Sequence, residues 1–143
     1  MARTVAVGAC SPSAVTFMET VEEALKNACA KAVVGNTTGD IGHAIQTTVE
    51  KMGYSVVREM VGHGIGLNLH EDPMLPGYGT PGKGKTLYDG QTLAIEAIIN
   101  EGSRFIRIST RDGWTSRTKD GKLSALFENT VLVSEQVEIL TPL

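Results

Sequence analysis

Four polar side chains in this 143-residue sequence stand where their neighbours give no ordinary reason for them. Glu96 lies inside Leu93-Ala94-Ile95-Glu96-Ala97-Ile98-Ile99, and Glu128 inside Leu126-Phe127-Glu128-Asn129-Thr130-Val131-Leu132-Val133. A segment apolar on both faces reads as a buried strand, and a carboxylate within it has to be paired or bind a cation. His63 sits between Gly62 and Gly64, and His70 comes later, just before Glu71-Asp72-Pro73. The flanking glycines remove side chains beside the imidazole and leave room for a metal or a substrate. One imidazole and two carboxylates on separate strands suit a hard or borderline divalent cation such as Mn, Fe, Co or Zn. Each residue also has a plainer reading: a glutamate facing outward from an edge strand or paired with an arginine, a histidine satisfied within the structure. His43, early in a helical stretch, reads as a surface residue.

The elements that must position this set follow from local signals. Ser11-Pro12 is an N-cap hydroxyl followed by proline at the first helical position. Val15, Met18, Val21, Leu25, Ala28 and Ala32 then recur at helical spacing, and Gly35-Asn36 ends the helix. A second helix is predicted from about Thr38 to Met52, with Ile41, Ile45 and Val49 on one face and Gly53 as its C-terminal glycine. Tyr54 to Met60 then reads as a strand. Gly62 to Gly66 is too glycine-rich for a helix and implies close backbone approach. Residues 71–90, rich in proline and glycine, are predicted to be a long loop. Strands are expected at Thr92–Asn100, at Arg104–Ser109 and Trp114–Thr118 around an Asp112-Gly113 turn, at Leu123–Val133 and at Val137–Leu140. Two helices followed by about five antiparallel strands make an α+β pattern and one domain, residues 1–143.

Composition narrows the function classes. Thirteen Lys and Arg against sixteen Asp and Glu give a net charge of −3, and with no basic run present no nucleic-acid partner is expected. No apolar stretch approaches the roughly 20 residues of a membrane span, and no signal-peptide pattern is present, so the expected location is cytoplasmic. Cys10 and Cys29 are too few for a disulfide framework and read as reduced and structural.

Taken in series, Gly62-His63-Gly64-Ile65-Gly66, His70-Glu71-x-Pro73, Ile95-Glu96, Asp112-Gly113-Trp114-Thr115-x-x-Thr118-Lys119-Asp120 and Ser124-Ala125-x-Phe127-Glu128-x-Thr130 resemble type I methionine aminopeptidase, from about Arg3 to Leu140. The resemblance implies the pita-bread fold of that family, here two helices packed on a curved, mostly antiparallel sheet. It also implies a metal-dependent aminopeptidase that removes N-terminal methionine from nascent chains. The family's site holds two divalent cations (Co, Mn, Fe or Zn). By the same resemblance His63, Glu96 and Glu128 would be metal ligands, and Glu96 would take part in proton transfer from the attacking water. His70 would hydrogen-bond the scissile peptide. Leu69 and Trp114 would fall near the pocket for the methionine side chain, where a thioether suits soft, aromatic surroundings.

The sequence also departs from the family. Two aspartate ligands that the family carries on an upstream strand have no counterpart here, and Arg3-Thr4 resembles the segment directly after the second. The expectation is therefore a domain lacking the N-terminal part of the fold, binding metal weakly and hydrolysing poorly by itself. Completion by a longer gene, a complementing chain or oligomer, or use as a non-catalytic binding module remain open. Asp40 does not replace the missing ligands, because capping explains a carboxylate at a helix start. Ala97 stands where the family usually has proline, and Asn129 where it usually has histidine.

Overall fold

The computed structural model describes residues 1–142. Ser11 caps α1 (Pro12–Cys29) by accepting a hydrogen bond from the Ala14 N–H at 3.2 Å. Thr37 and Asp40 form a reciprocal capping box at the start of α2 (Thr38–Glu50): Thr37 Oγ1 accepts from the Asp40 N–H, and the Asp40 carboxylate accepts from the Thr37 N–H at 2.8 Å. Asp40 is thus accounted for by the helix start, as its position predicted. The predicted α1 continues past Cys29 only as tighter turns, Lys31 N–H to Ala28 and Ala32 N–H to Cys29, the usual way to satisfy terminal carbonyls.

The strands are β1 (Ser55–Val56), β2 (Gly62–Ile65), β3 (Glu71–Leu75), β4 (Thr92–Asn100), β5 (Ile106–Ile108), β6 (Ser116–Thr118), β7 (Ser124–Leu132) and β8 (Glu138–Ile139). The main sheet runs β3-β2-β4-β7-β8, with β1 also on β4, and every pairing in it is antiparallel. A separate hairpin, β5–β6, closes through the Asp112-Gly113 turn, where Gly113 has φ +65°. At the centre, β4 and β7 pair without a break from Thr92↔Leu132 to Asn100↔Ser124.

This long pairing decides what faces what. Leu93, Ile95, Ala97 and Ile99 of β4, with Phe127 and Val131 of β7, point to the helices and are almost fully buried. They pack against Phe17, Val21 and Leu25 of α1 and Ile41, Ile45 and Val49 of α2. Each large aliphatic side chain buried there contributes roughly 1.5–3 kcal/mol. Successive strand residues point to opposite faces, so Glu96 and Glu128 emerge on the side away from the helices.

Three sequence expectations change. The strand predicted over Tyr54–Met60 is reduced to Ser55–Val56, paired with Asn100 and Ile99 at the end of β4, with one further bond from the Val57 N–H to the Ile98 carbonyl. Gly62–Ile65, read only as a place of close backbone approach, is a strand. So is Glu71–Leu75; it lies at the sheet edge, where Pro73 and its missing N–H are tolerated.

Candidate metal centre

Glu96 and Glu128 are directly paired across β4 and β7, which puts their Cβ atoms about 4.5–5.5 Å apart. His63 on β2 is paired with Ala94, two residues from Glu96 and on the same face, and its Nε2 lies 3.6 Å from Glu96 Oε1. The ring of His70 joins from the end of the β2–β3 connection, with its centroid 4.2 Å from that of His63. Four residues chosen from the sequence thus meet on one face of the sheet. Leu69, beside His70, is exposed, and Trp114 in the β5–β6 turn is 87% exposed, so neither is enclosed by this chain.

The glycines around His63 serve the close backbone approach that their spacing implied. A Cβ on Gly62 would sit 2.3 Å from the Ala94 carbonyl oxygen, and one on Gly64 would sit 2.1 Å from that of Asp72. At Gly66 it would meet the Glu71 carboxylate at 2.3 Å. At these three positions the space beside the glycine is taken by the neighbouring backbones and by Glu71. Glu71 in turn accepts from the Asn68 N–H at 2.7 Å and holds the turn that carries Leu69 and His70.

The electrostatics are those of crowded acceptors. His63 Nδ1 is 2.9 Å from the Gly64 carbonyl oxygen, which can only accept, so Nδ1 carries the proton in that bond. Nε2 is thereby the ring nitrogen left facing the Glu96 carboxylate. Burial pushes the Glu96 carboxyl above its ordinary pKa, and the Glu128 charge pushes it the same way; His63 and the Met1 ammonium act against them. The α-ammonium of Met1 lies 3.2 Å from Glu128 Oε1, a cation resting on this face.

Among the described residues, no three His, Cys, Asp or Glu side chains are grouped closely enough to enclose a metal ion as they stand. The donors nevertheless fit one in type and charge. The separation of His63 Nε2 and Glu96 Oε1 is less than twice a metal–ligand bond of about 2.1 Å, so one cation reaches both. Glu128 supplies the second carboxylate from the adjoining strand. Arg3, which the sequence reading left out of the site, and Asn129, noted there only as a departure from the family beside Glu128, lie directly behind it. Arg3 donates to the Glu128 carbonyl and to Asn129 Oδ1, and Asn129 is buried on the helix side of β7. The signal available for Asn129 was an amide in an apolar strand at a position alternating with Glu128.

Residues 1–135 match the family described as Metallopeptidase family M24. A methionine aminopeptidase of Clostridium acetobutylicum is 45% identical over 141 residues, which is 98% of this chain and 56% of that protein. Methionine aminopeptidase A of Synechocystis is 49% identical over 140 residues, 97% of this chain and 55% of that protein. The crystal structure of methionine aminopeptidase from Rickettsia prowazekii superposes with a TM-score of 0.95 at 38% identity, covering 98% of this chain and 57% of that one. Prolidase from Pyrococcus furiosus follows with a TM-score of 0.75 at 25% identity, over 99% of this chain and 36% of its own. The chain spans about half the length of the curated relatives it matches. Among the described residues no helix is long and apolar enough to cross a membrane.

Proposed function

The chain belongs to metallopeptidase family M24, and from that membership we propose that it carries much of the catalytic face of an aminopeptidase acting on N-terminal methionine. The observation that carries the reading is the meeting of His63, Glu96 and Glu128 on one sheet face, with His70 against His63. His63, Glu96 and Glu128 would hold a divalent cation, with Mn, Fe, Co and Zn all compatible with one imidazole and two carboxylates. When bound, such a cation polarises a peptide carbonyl and makes water a nucleophile near neutral pH.

The remaining work falls to side chains. His63 is held by the Gly64 carbonyl with Nε2 directed at Glu96, so its donor atom needs no reorientation. Glu96, a carboxylate beside the place of the attacking water, would accept a proton from that water and return it to the leaving amine. His70, on the turn braced by Glu71, would donate a hydrogen bond to the scissile peptide. Leu69 and Trp114, both exposed, would contact the methionine side chain once substrate and the rest of the site close over them. Three protein donors hold a cation loosely and leave a second one short of ligands, so a paired-metal site requires donors from outside these residues.

The test joins this chain to the part of the Clostridium acetobutylicum relative that it does not align with, and measures release of methionine from a methionyl tripeptide with Mn or Co added. Metal-dependent release, abolished by Glu96→Ala and retained in Asp40→Asn, is the expected result. Binding of the peptide without cleavage would favour a non-catalytic module instead. Turnover indifferent to Glu96→Ala would overturn the assignment.

A further inference from the structure

Arg3 is the least expected contact near the site. Its Nη1 donates to the Glu128 carbonyl at 2.5 Å and to the Ala2 carbonyl at 2.8 Å, and its Nη2 donates to Asn129 Oδ1 at 2.6 Å. The guanidinium also lies over the Phe127 ring, 6.0 Å from its centroid. One side chain therefore touches three consecutive residues of β7: the side chains of Phe127 and Asn129 and the backbone of Glu128. Residues 2–4 reinforce it by running along the outer edge of β7. The Ala2 N–H donates to the Glu128 carbonyl at 3.3 Å, and the Glu128 N–H to the Ala2 carbonyl at 2.9 Å. Thr4 Oγ1 accepts from the Leu126 N–H at 2.9 Å and donates to the Leu126 carbonyl at 3.1 Å.

Asn129 completes the arrangement. It is 5% exposed, and because a guanidinium only donates, its Oδ1 must face Arg3. Its amide nitrogen then faces the Cys29 sulfur of α1, 3.9 Å away. Arg3 is thereby linked through Asn129 to the helix layer, and Glu128 is held from behind on the same strand.

We propose that Arg3 and Asn129 are positioning residues for Glu128: they clamp β7 from its helix side and so hold the carboxylate on the face it shares with His63 and Glu96, from which the three side chains converge when a divalent cation binds. The inference rests on the reading of the site given above. What distinguishes a clamp from simple charge neutralisation is the choice of partners. Arg3 is placed beside a carboxylate-bearing residue, yet it bonds that residue's backbone and forms no ion pair among the described residues. The Glu128 carboxylate stays on the opposite face, where the Met1 ammonium now lies 3.2 Å from it and a divalent cation would take that place.

Charge and position predict opposite outcomes, which makes the proposal testable without turnover. Removing a positive charge near Glu128 strengthens cation binding by Coulomb's law alone. Loosening the carboxylate weakens it, and loss of such outer support typically costs 10–100-fold in metal affinity. The experiment titrates Co into the full chain, read by visible absorption, and Mn, read by calorimetry, for the parent, Glu128→Gln, Arg3→Met, Arg3→Lys and Asn129→Leu. Circular dichroism confirms which variants are folded. Affinity is expected to fall about tenfold in Arg3→Met and Asn129→Leu, and to fall also in Arg3→Lys, which keeps the charge but loses the planar fork. Should Arg3→Met fail to fold, Arg3→Lys and Asn129→Leu carry the test. Unchanged or tighter binding in these variants, with Glu128→Gln weakened, overturns the clamp. No binding by the parent, or none lost in Glu128→Gln, overturns the reading of the site itself and the clamp with it.

Discussion

Gly64→Ala is the sharpest test of how β2 is built. The new Cβ would lie 2.1 Å from the Asp72 carbonyl oxygen and 2.7 Å from its carbonyl carbon. Ordinary contact begins at 3.4 Å, so the two backbones would have to part by more than 1 Å. Neither clashing atom belongs to a side chain that can rotate away. The β2–β3 register already shifts between His63 and Gly64, so little slack remains there. Overpacking that forces backbone movement costs about 1–3 kcal/mol. With an unfolding entropy near 2.1 cal/mol/K per residue, that is a fall in Tm of about 3–10 °C for a chain of this length. Gly66→Ala is the matched comparison, because its clash is with the Glu71 carboxylate, which can swing aside at the expense of its bonds to Asn68. It should lower Tm less, and its effect should shrink when Glu71 is also replaced by alanine, a coupling that a double-mutant cycle isolates. Thermal and urea unfolding followed by far-UV circular dichroism measures the parent, Gly64→Ala and the three variants of the Gly66–Glu71 cycle. A Gly64→Ala protein within about 0.5 kcal/mol of the parent would refute the argument that close strand approach, and not room for a ligand, dictates this glycine.

Thr37→Ala removes one half of the capping box and should destabilise by about 0.5–2 kcal/mol in urea unfolding. The Asp40 carboxyl is held below its ordinary pKa, chiefly by the Thr37 hydroxyl. A depressed native pKa contributes stability that is present above the unfolded-state value and lost as pH falls through the native one. Asp40→Asn should therefore cost stability at pH 7, and the gap from the parent should narrow on acidification below the ordinary aspartate range; a gap that does not depend on pH would contradict this. Arg107 and Arg117 are directly opposed in the β5–β6 hairpin, so Arg107→Glu should stabilise it by roughly 0.2–1 kcal/mol. The readout is slower hydrogen exchange at the Ser109 N–H, which donates to Thr115. Leu25→Ala, at a position 1% exposed between α1 and the sheet, should cost about 2–5 kcal/mol and show no change in cation affinity beyond what the loss of fold explains.

The chemistry-bearing residues were legible because each violated its own neighbourhood. A carboxylate in the middle of Leu93–Ile99 or Leu126–Val133 cannot be explained by a strand's own needs, and alternation then predicts which face it takes. The helices were equally readable: Ser11-Pro12 starts one, Asp40 marks the start of the other, and both keep an apolar period. The order of motifs was specific enough to indicate the family.

What could not be read locally depends on segments distant in the chain. β3 looked like part of a loop because proline and glycine have poor strand propensity, and β2 showed only that some backbone comes close; each is held by backbone partners distant in the chain, and the glycines of β2 let those partners approach. The pairing of Glu96 with Glu128 is a matter of register between strands about thirty residues apart, and one residue of slip would send one carboxylate into the helix layer. The link from Arg3 to Asn129 spans 126 positions, and nothing near either residue hints at it. The sequence by itself determined which residues carry chemistry and which elements bear them, because caps, periodicity and misplaced charges are local facts. Only the tertiary structure decided which of those residues meet and what stands behind them, because register and long-range contact are set by the packing of the whole core.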